Sequence, residues 1–164
     1  MGLPTLLLAV SVLATPLPAS ALCLRLEGEP GQVGWRAVAA GDEVHLRFRH
    51  SLWGSLVEEE FRVAADGFEL VRLRYAEARL AEFYGHEAAR REGGGWVVEP
   101  APRLVPSLVL RVSRESGMQL VVGVRPVPLA SLVESGGVIR LTVNGCGIDP
   151  PTPVERDRHA RGDD

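Results

Sequence analysis

Apolar and polar residues alternate through most of the chain. Val44, Leu46, Phe48 and His50 fall on one face of an extended strand, with Glu43, His45, Arg47 and Arg49 on the other. Val57, Glu59, Phe61 and Val63 share a face in the next run, opposite Glu58, Glu60 and Arg62. Similar runs cover Phe68 to Tyr75, Ser107 to Ser113, Met118 to Val122 and Val138 to Asn144. Short period-two runs punctuated by Gly, Pro and Asp predict an antiparallel β-sandwich or partly open barrel. Asp66-Gly67 marks a tight turn between two of these strands. The stretch from Ala76 to Arg91 departs from the pattern. It is rich in helix formers, with Ala76, Leu80 and Phe83 or Tyr84 at helical spacing and Gly85 placed to end a helix. It predicts a crossover containing one short helix, which leaves a mostly β chain.

The two ends lack this pattern. Leu3 to Leu24 carries no charge, and the block LLLAVSVLA is followed by the small-residue site Ala19-Ser20-Ala21. This predicts a signal peptide over residues 1–21, although no Lys or Arg precedes the block. A retained membrane anchor over residues 3–24 is the alternative, and Pro4, Pro16 and Pro18 disfavour a regular spanning helix there. Residues 149–164 are proline-rich and charged, so they predict a disordered C-terminal tail in which His159 is a solvated side chain. A single β domain is expected over residues 22–148.

Charge changes the picture mainly by exclusion. All 18 basic residues are arginine, which removes Schiff-base lysines, amine nucleophiles and a phosphate-loop lysine. The net charge is -3, and no basic cluster suggests a nucleic-acid partner. No glycine-rich dinucleotide fingerprint is present and no cofactor is implied. Cys23 and Cys146 are the only cysteines. In an exported chain they are candidates for a disulfide; otherwise they are two small buried hydrophobes.

The candidate chemistry lies in His50 to Phe61, HSLWGSLVEEEF. His50 ends one apolar face, and Glu59 interrupts the apolar face of the next strand. A hairpin burying both sets is expected to bring His50 beside Glu59 or one diagonal step away. A carboxylate on a core face needs a donor, a proton or a cavity. Two readings stay open. Glu59 accepts a structural hydrogen bond from His50 or loop N–H groups, or His50, Ser51 and Glu59 line a ligand site walled by Trp53. Ser51 neighbours His50 in sequence, so an extended strand would point them apart, and no G-x-S-x-G elbow exists. His50, Glu59, His86 and Glu87 lack recognised metal-ligand spacing.

Cys23-Leu24 at the start of the mature chain, His50-Ser51 with Ser55, Val57, Glu59 and Phe61, and then Gly67-Phe68-Glu69-Leu70 together resemble an exported bacterial family. This is the domain-of-unknown-function family number eighteen-fifty, with the element H-S-x-x-x-T-x-V-x-E-x-Y/F. The resemblance runs from Cys23 to about Asn144, with weaker agreement near Leu108, Leu120 and Val138. Many members carry a glycine-rich G-A-G segment where Glu82-Phe83-Tyr84-Gly85-His86 stands here. The resemblance implies a periplasmic, non-enzymatic accessory or binding protein associated with TRAP-TAXI type tripartite transporters. Its partner would be a transporter subunit or the transported solute, with membrane contact if the N-terminal segment is retained. The alternative is a small hydrolase or metal-dependent enzyme using His50 and Glu59.

Overall fold

The computed structural model describes residues 22–29 and 31–146. The expected signal peptide, the tail and His159 lie outside the described residues. The strands, in chain order, are β1 (Leu22–Gly28), β2 (Gln32–Val38), β3 (Glu43–Arg49), β4 (Leu56–Ala64) and β5 (Gly67–Tyr75). After helix α1 (Ala78–Phe83) come β6 (Arg90–Glu92), β7 (Gly95–Val98), β8 (Leu104–Val105) and β9 (Ser107–Arg111). β10 (Gln119–Val122), β11 (Arg125–Pro128) and β12 (Val138–Gly145) complete the fold. All strand pairings are antiparallel.

A 4-stranded sheet has the order β2-β1-β12-β9. An 8-stranded sheet has the order β11-β10-β3-β4-β5-β7-β6, with β8 on β5. The sheets do not close into a barrel. Among the described residues, no helix is long and apolar enough to cross a membrane.

Alternation decides the facing surfaces. Leu24, Leu26, Leu141 and Val143 of the smaller sheet pack with Val44, Leu46, Phe61 and Phe68 of the larger one. Burial of these side chains is the main drive for the sheets to associate. The smaller sheet covers only part of the larger. A second apolar cluster, Val57, Leu73, Tyr75 and Val98, lies instead beneath Leu80 and Ala81 of α1. Phe48 and Leu70 are only half-buried and touch both clusters. The inner face of the larger sheet thus has a seam, with the second sheet on one side and the helix on the other.

The outward face of β3, β4 and β5 explains where many arginines went. Arg47 binds the Glu58 carboxylate at 2.8 Å, and Arg62 lies 3.5 Å from Glu69. Arg72 and Arg74 reach Glu60 at 3.8 and 3.7 Å. These pairs cross between strands, the sheet counterpart of helical ion-pair spacing. The β4–β5 hairpin turns at Asp66, as the sequence predicts. Gly67 is required there because a Cβ would come within 2.5 Å of the Val105 carbonyl oxygen on β8.

Candidate functional site

The loop Ser51–Gly54 joins β3 to β4. Gly54 adopts φ 65°, a conformation that favours glycine, and its N–H donates to the His50 carbonyl at 2.8 Å. The His50 N–H donates to the Ser55 carbonyl at 2.9 Å. The Arg49 guanidinium donates to the Gly54 carbonyl at 2.9 Å and holds the loop from outside. This tight closure sets the register of the whole hairpin.

That register corrects the expected pairing. Glu59 stands opposite Leu46 on β3 and Leu73 on β5, not beside His50. His50 is aligned with Ser55, four positions from Glu59 along β4, or about 14 Å of strand. The expectation that both residues face inward is correct in parity, but the loop is shorter than a His50–Glu59 pair needs. Among the described residues, no hydrogen bond joins the two. Ser51 is exposed in the loop. A Ser51–His50–Glu59 grouping is therefore not assembled.

His50 is 6% exposed, and its environment is aromatic. It stacks on Trp53 at a centroid distance of 4.8 Å and meets the edges of Phe83 and Tyr84 at 5.2 and 5.8 Å. The Leu52 N–H donates to its Nδ1 at 3.3 Å. Tyr84 stacks on Tyr75 at 5.7 Å, and His86 stacks on Tyr75 at 5.9 Å. Glu87 is exposed and takes no part. Trp53 and His86 thus join the group, while Ser51 and Glu87 stay outside it.

A second serine, Ser55, also takes part. Ser55 is buried and donates its hydroxyl to the Glu77 carboxylate, which also pairs with Arg79. The Ser55 hydrogen bond and then Arg79 hold the Glu77 carboxyl below its ordinary range. The Arg79 guanidinium lies 5.2 Å from the Trp53 ring centroid, within cation–π range. These contacts tie the loop to the start of α1 and so fix Phe83 and Tyr84 at its end. The available signal was Ser55's place in the His-Ser…Glu element. The partner, 22 positions away, appears only in the fold.

Glu59 sits at the seam. It is half-buried, flanked by Val57 and Phe61 along β4, and among the described residues it has no hydrogen bond or ion pair. Burial holds its carboxyl above the ordinary range. The same carboxylate, after burial, raises the hydroxyls of Tyr75 and Tyr84 above theirs. His50 meets Tyr84 and Glu59 lies one diagonal step from Tyr75, so both border one stacked tyrosine pair.

This burial has a testable sign. A carboxyl raised in the folded state gives its full stability below the unfolded value, about pH 4, and loses it as pH rises through the folded value. Glu59→Gln carries no charge to desolvate. It is expected to exceed the wild type by about 1 kcal/mol at pH 7.5, with the gap closing near pH 4. Denaturant melts at both pH values check this. A less stable glutamine variant at pH 7.5 would show that a cation holds the carboxylate.

A separate cluster on the outward face brings ligand atoms of His45, Glu58 and Glu60 within 4.8 Å of one another. His45 Nδ1 lies 3.0 Å from Glu58 Oε1, and Arg47, Arg72 and Arg74 already neutralise both carboxylates. A metal there would have to displace guanidinium groups. Cys23 and Cys146 form a disulfide with Cα atoms 5.0 Å apart. No family model, curated protein or solved structure matches the chain.

Proposed function

We propose that the chain is an exported, non-catalytic β domain that assists TRAP-type solute uptake, using the seam around Glu59 as its binding site. The observation that carries the reading is Glu59 itself. A half-buried carboxylate on an apolar face, without a partner among the described residues, lowers stability and does nothing for the fold. Groups of this kind concentrate at functional sites. The aromatic residues beside it supply rigid contact area, with Phe83 56% and Tyr84 43% exposed. The disulfide supports an oxidising compartment outside the cytoplasm. The link to a transporter comes from the resemblance of the His50–Phe61 element.

Affinity purification of the tagged chain from membranes of its source organism tests the role. A TRAP-type transporter subunit is expected among the captured proteins, and deletion of the gene is expected to lower uptake of that transporter's solute. Capture of no transporter subunit, with uptake unchanged in the deletion strain, would end this reading.

A further inference from the structure

The seam has a definite chemical asymmetry. Its carboxylate, Glu59, is half-buried on the inner face of the larger sheet, with Leu46 and Leu73 across from it on the neighbouring strands. Phe48 and Leu70 are half-buried at the junction of the two apolar clusters and offer a nonpolar floor. Tyr75 lies one diagonal step from Glu59 on β5, and Tyr84 stacks on Tyr75. The nearby cation, Arg79, is engaged by Glu77 and lies over Trp53. Arg47, Arg72 and Arg74 project from the opposite face of the sheet, where Glu58 and Glu60 hold them. They stand opposite or diagonal to the outward-facing Glu58 and Glu60, on the other face of the sheet from Glu59. The chain thus provides an anionic oxygen pair, aromatic faces and an apolar floor, but among the described residues no positive charge to complete the group.

We infer that the seam binds a small organic cation, an alkylammonium or guanidinium group carried on an apolar body. The positive head would pair with the Glu59 carboxylate beside the Tyr75 and Tyr84 rings, and the body would lie against Phe48 and Leu70. Each contact is favourable in kind. A charge-assisted hydrogen bond satisfies the carboxylate, the exposed Tyr84 ring attracts a cation, and the body removes apolar surface from water. An anionic ligand would meet like charge in a partly desolvated place, so the seam discriminates by sign before it discriminates by shape. This assignment rests on the reading of Glu59 as a binding residue, and it adds the ligand class.

The test uses the protein as isolated from the exported fraction of cells. Calorimetric titration with n-butylammonium, butyrate and n-butanol compares three bodies of matched length, and NMR follows the ring signals of Tyr84 and His50. Butylammonium is expected to bind with Kd on the order of a millimolar, at least about tenfold tighter than either other probe, with shifts at Tyr84. Glu59→Gln, verified as folded by circular dichroism, is expected to weaken it by about tenfold or more while leaving butanol unchanged. Butyrate or butanol binding as tightly as butylammonium overturns the cation assignment, as does unchanged butylammonium affinity in Glu59→Gln or no binding by any probe. The transporter role fails separately, through the membrane capture and uptake experiment.

Discussion

Replacing Cys23 and Cys146 together by alanine is expected to lower the stability of the fold by about 4–5 kcal/mol, with a fall in Tm of roughly 15 °C. The bond links residues 123 positions apart. Nearly the whole β domain therefore lies within the closed loop, and the unfolded chain loses a large share of its freedom when the loop is closed. The native state gives up little when the bond is cut, because Cys23 lies on β1 and Cys146 directly follows β12. These strands are already hydrogen-bonded neighbours, with Leu22 opposite Gly145 and Cys23 opposite Asn144. The effect is thus mainly on the unfolded ensemble. Thermal melts of the wild type, the double variant and the wild type in excess reductant check it. The reduced wild type should melt with the variant. A loss below about 1 kcal/mol would mean that the unfolded chain is already compact near its ends. Probe binding at the seam, measured well below the melt, should be the same in all three, since the disulfide belongs to the smaller sheet and Glu59 to the larger.

The alternation of the sequence was a good guide to faces and a poor one to register. Val44, Leu46, Val57, Phe61 and Val63 all turn inward as their spacing predicts, and all are buried. The runs from Ser107, Met118 and Val138 become β9, β10 and β12, and the helix expected between Ala76 and Arg91 is present over Ala78–Phe83. Register departs from the expected pairing at His50 and Glu59. Parity survives any even shift of one strand past another, so hydrophobicity alone permits several alignments. What chose among them was closure of the loop by Gly54, a backbone effect that hydrophobic spacing does not encode. The short strands Leu104–Val105 and Arg125–Pro128 were hidden for another reason: they are too brief for a period, and Pro126 and Pro128 argue against strand. The site was half legible. Glu59 stood out as a charge among apolar neighbours. Phe83 and Tyr84 looked like ordinary surface residues, since their meeting with His50 and Tyr75 depends on α1 folding back over the sheet.

That dependence makes Tyr75 the second position with a large expected effect. Tyr75→Ala is expected to cost about 3–5 kcal/mol, the usual range for removing a buried aromatic ring. The side chain is 2% exposed and packs with Val57, Leu73, Val98, Leu80 and Ala81. Its loss would open a cavity between β5 and α1. The helix is short, spanning Ala78–Phe83 with no side-chain capping hydrogen bond from Glu77; the Ser55–Glu77 and Arg79–Trp53 contacts hold only its start, and packing on Tyr75 holds the rest. Helices this short are marginal in water and hold their shape through packing. Tyr75→Ala should therefore release α1 as well as lower global stability. With it would go the placement of Tyr84, whose ring stacks on Tyr75 at an interplanar angle of 17°. Tyr75→Phe separates ring from hydroxyl. It keeps the packing and removes a hydroxyl that burial and the Glu59 charge hold above its ordinary range. It should cost less than about 1 kcal/mol and retain butylammonium binding within roughly threefold. Denaturant melts measure the stabilities, and amide exchange across residues 78–84 reports on the helix. Protection of that segment in Tyr75→Ala equal to the wild type would show that α1 stands without the ring, and the helix could then not be the element through which Tyr75 positions the seam.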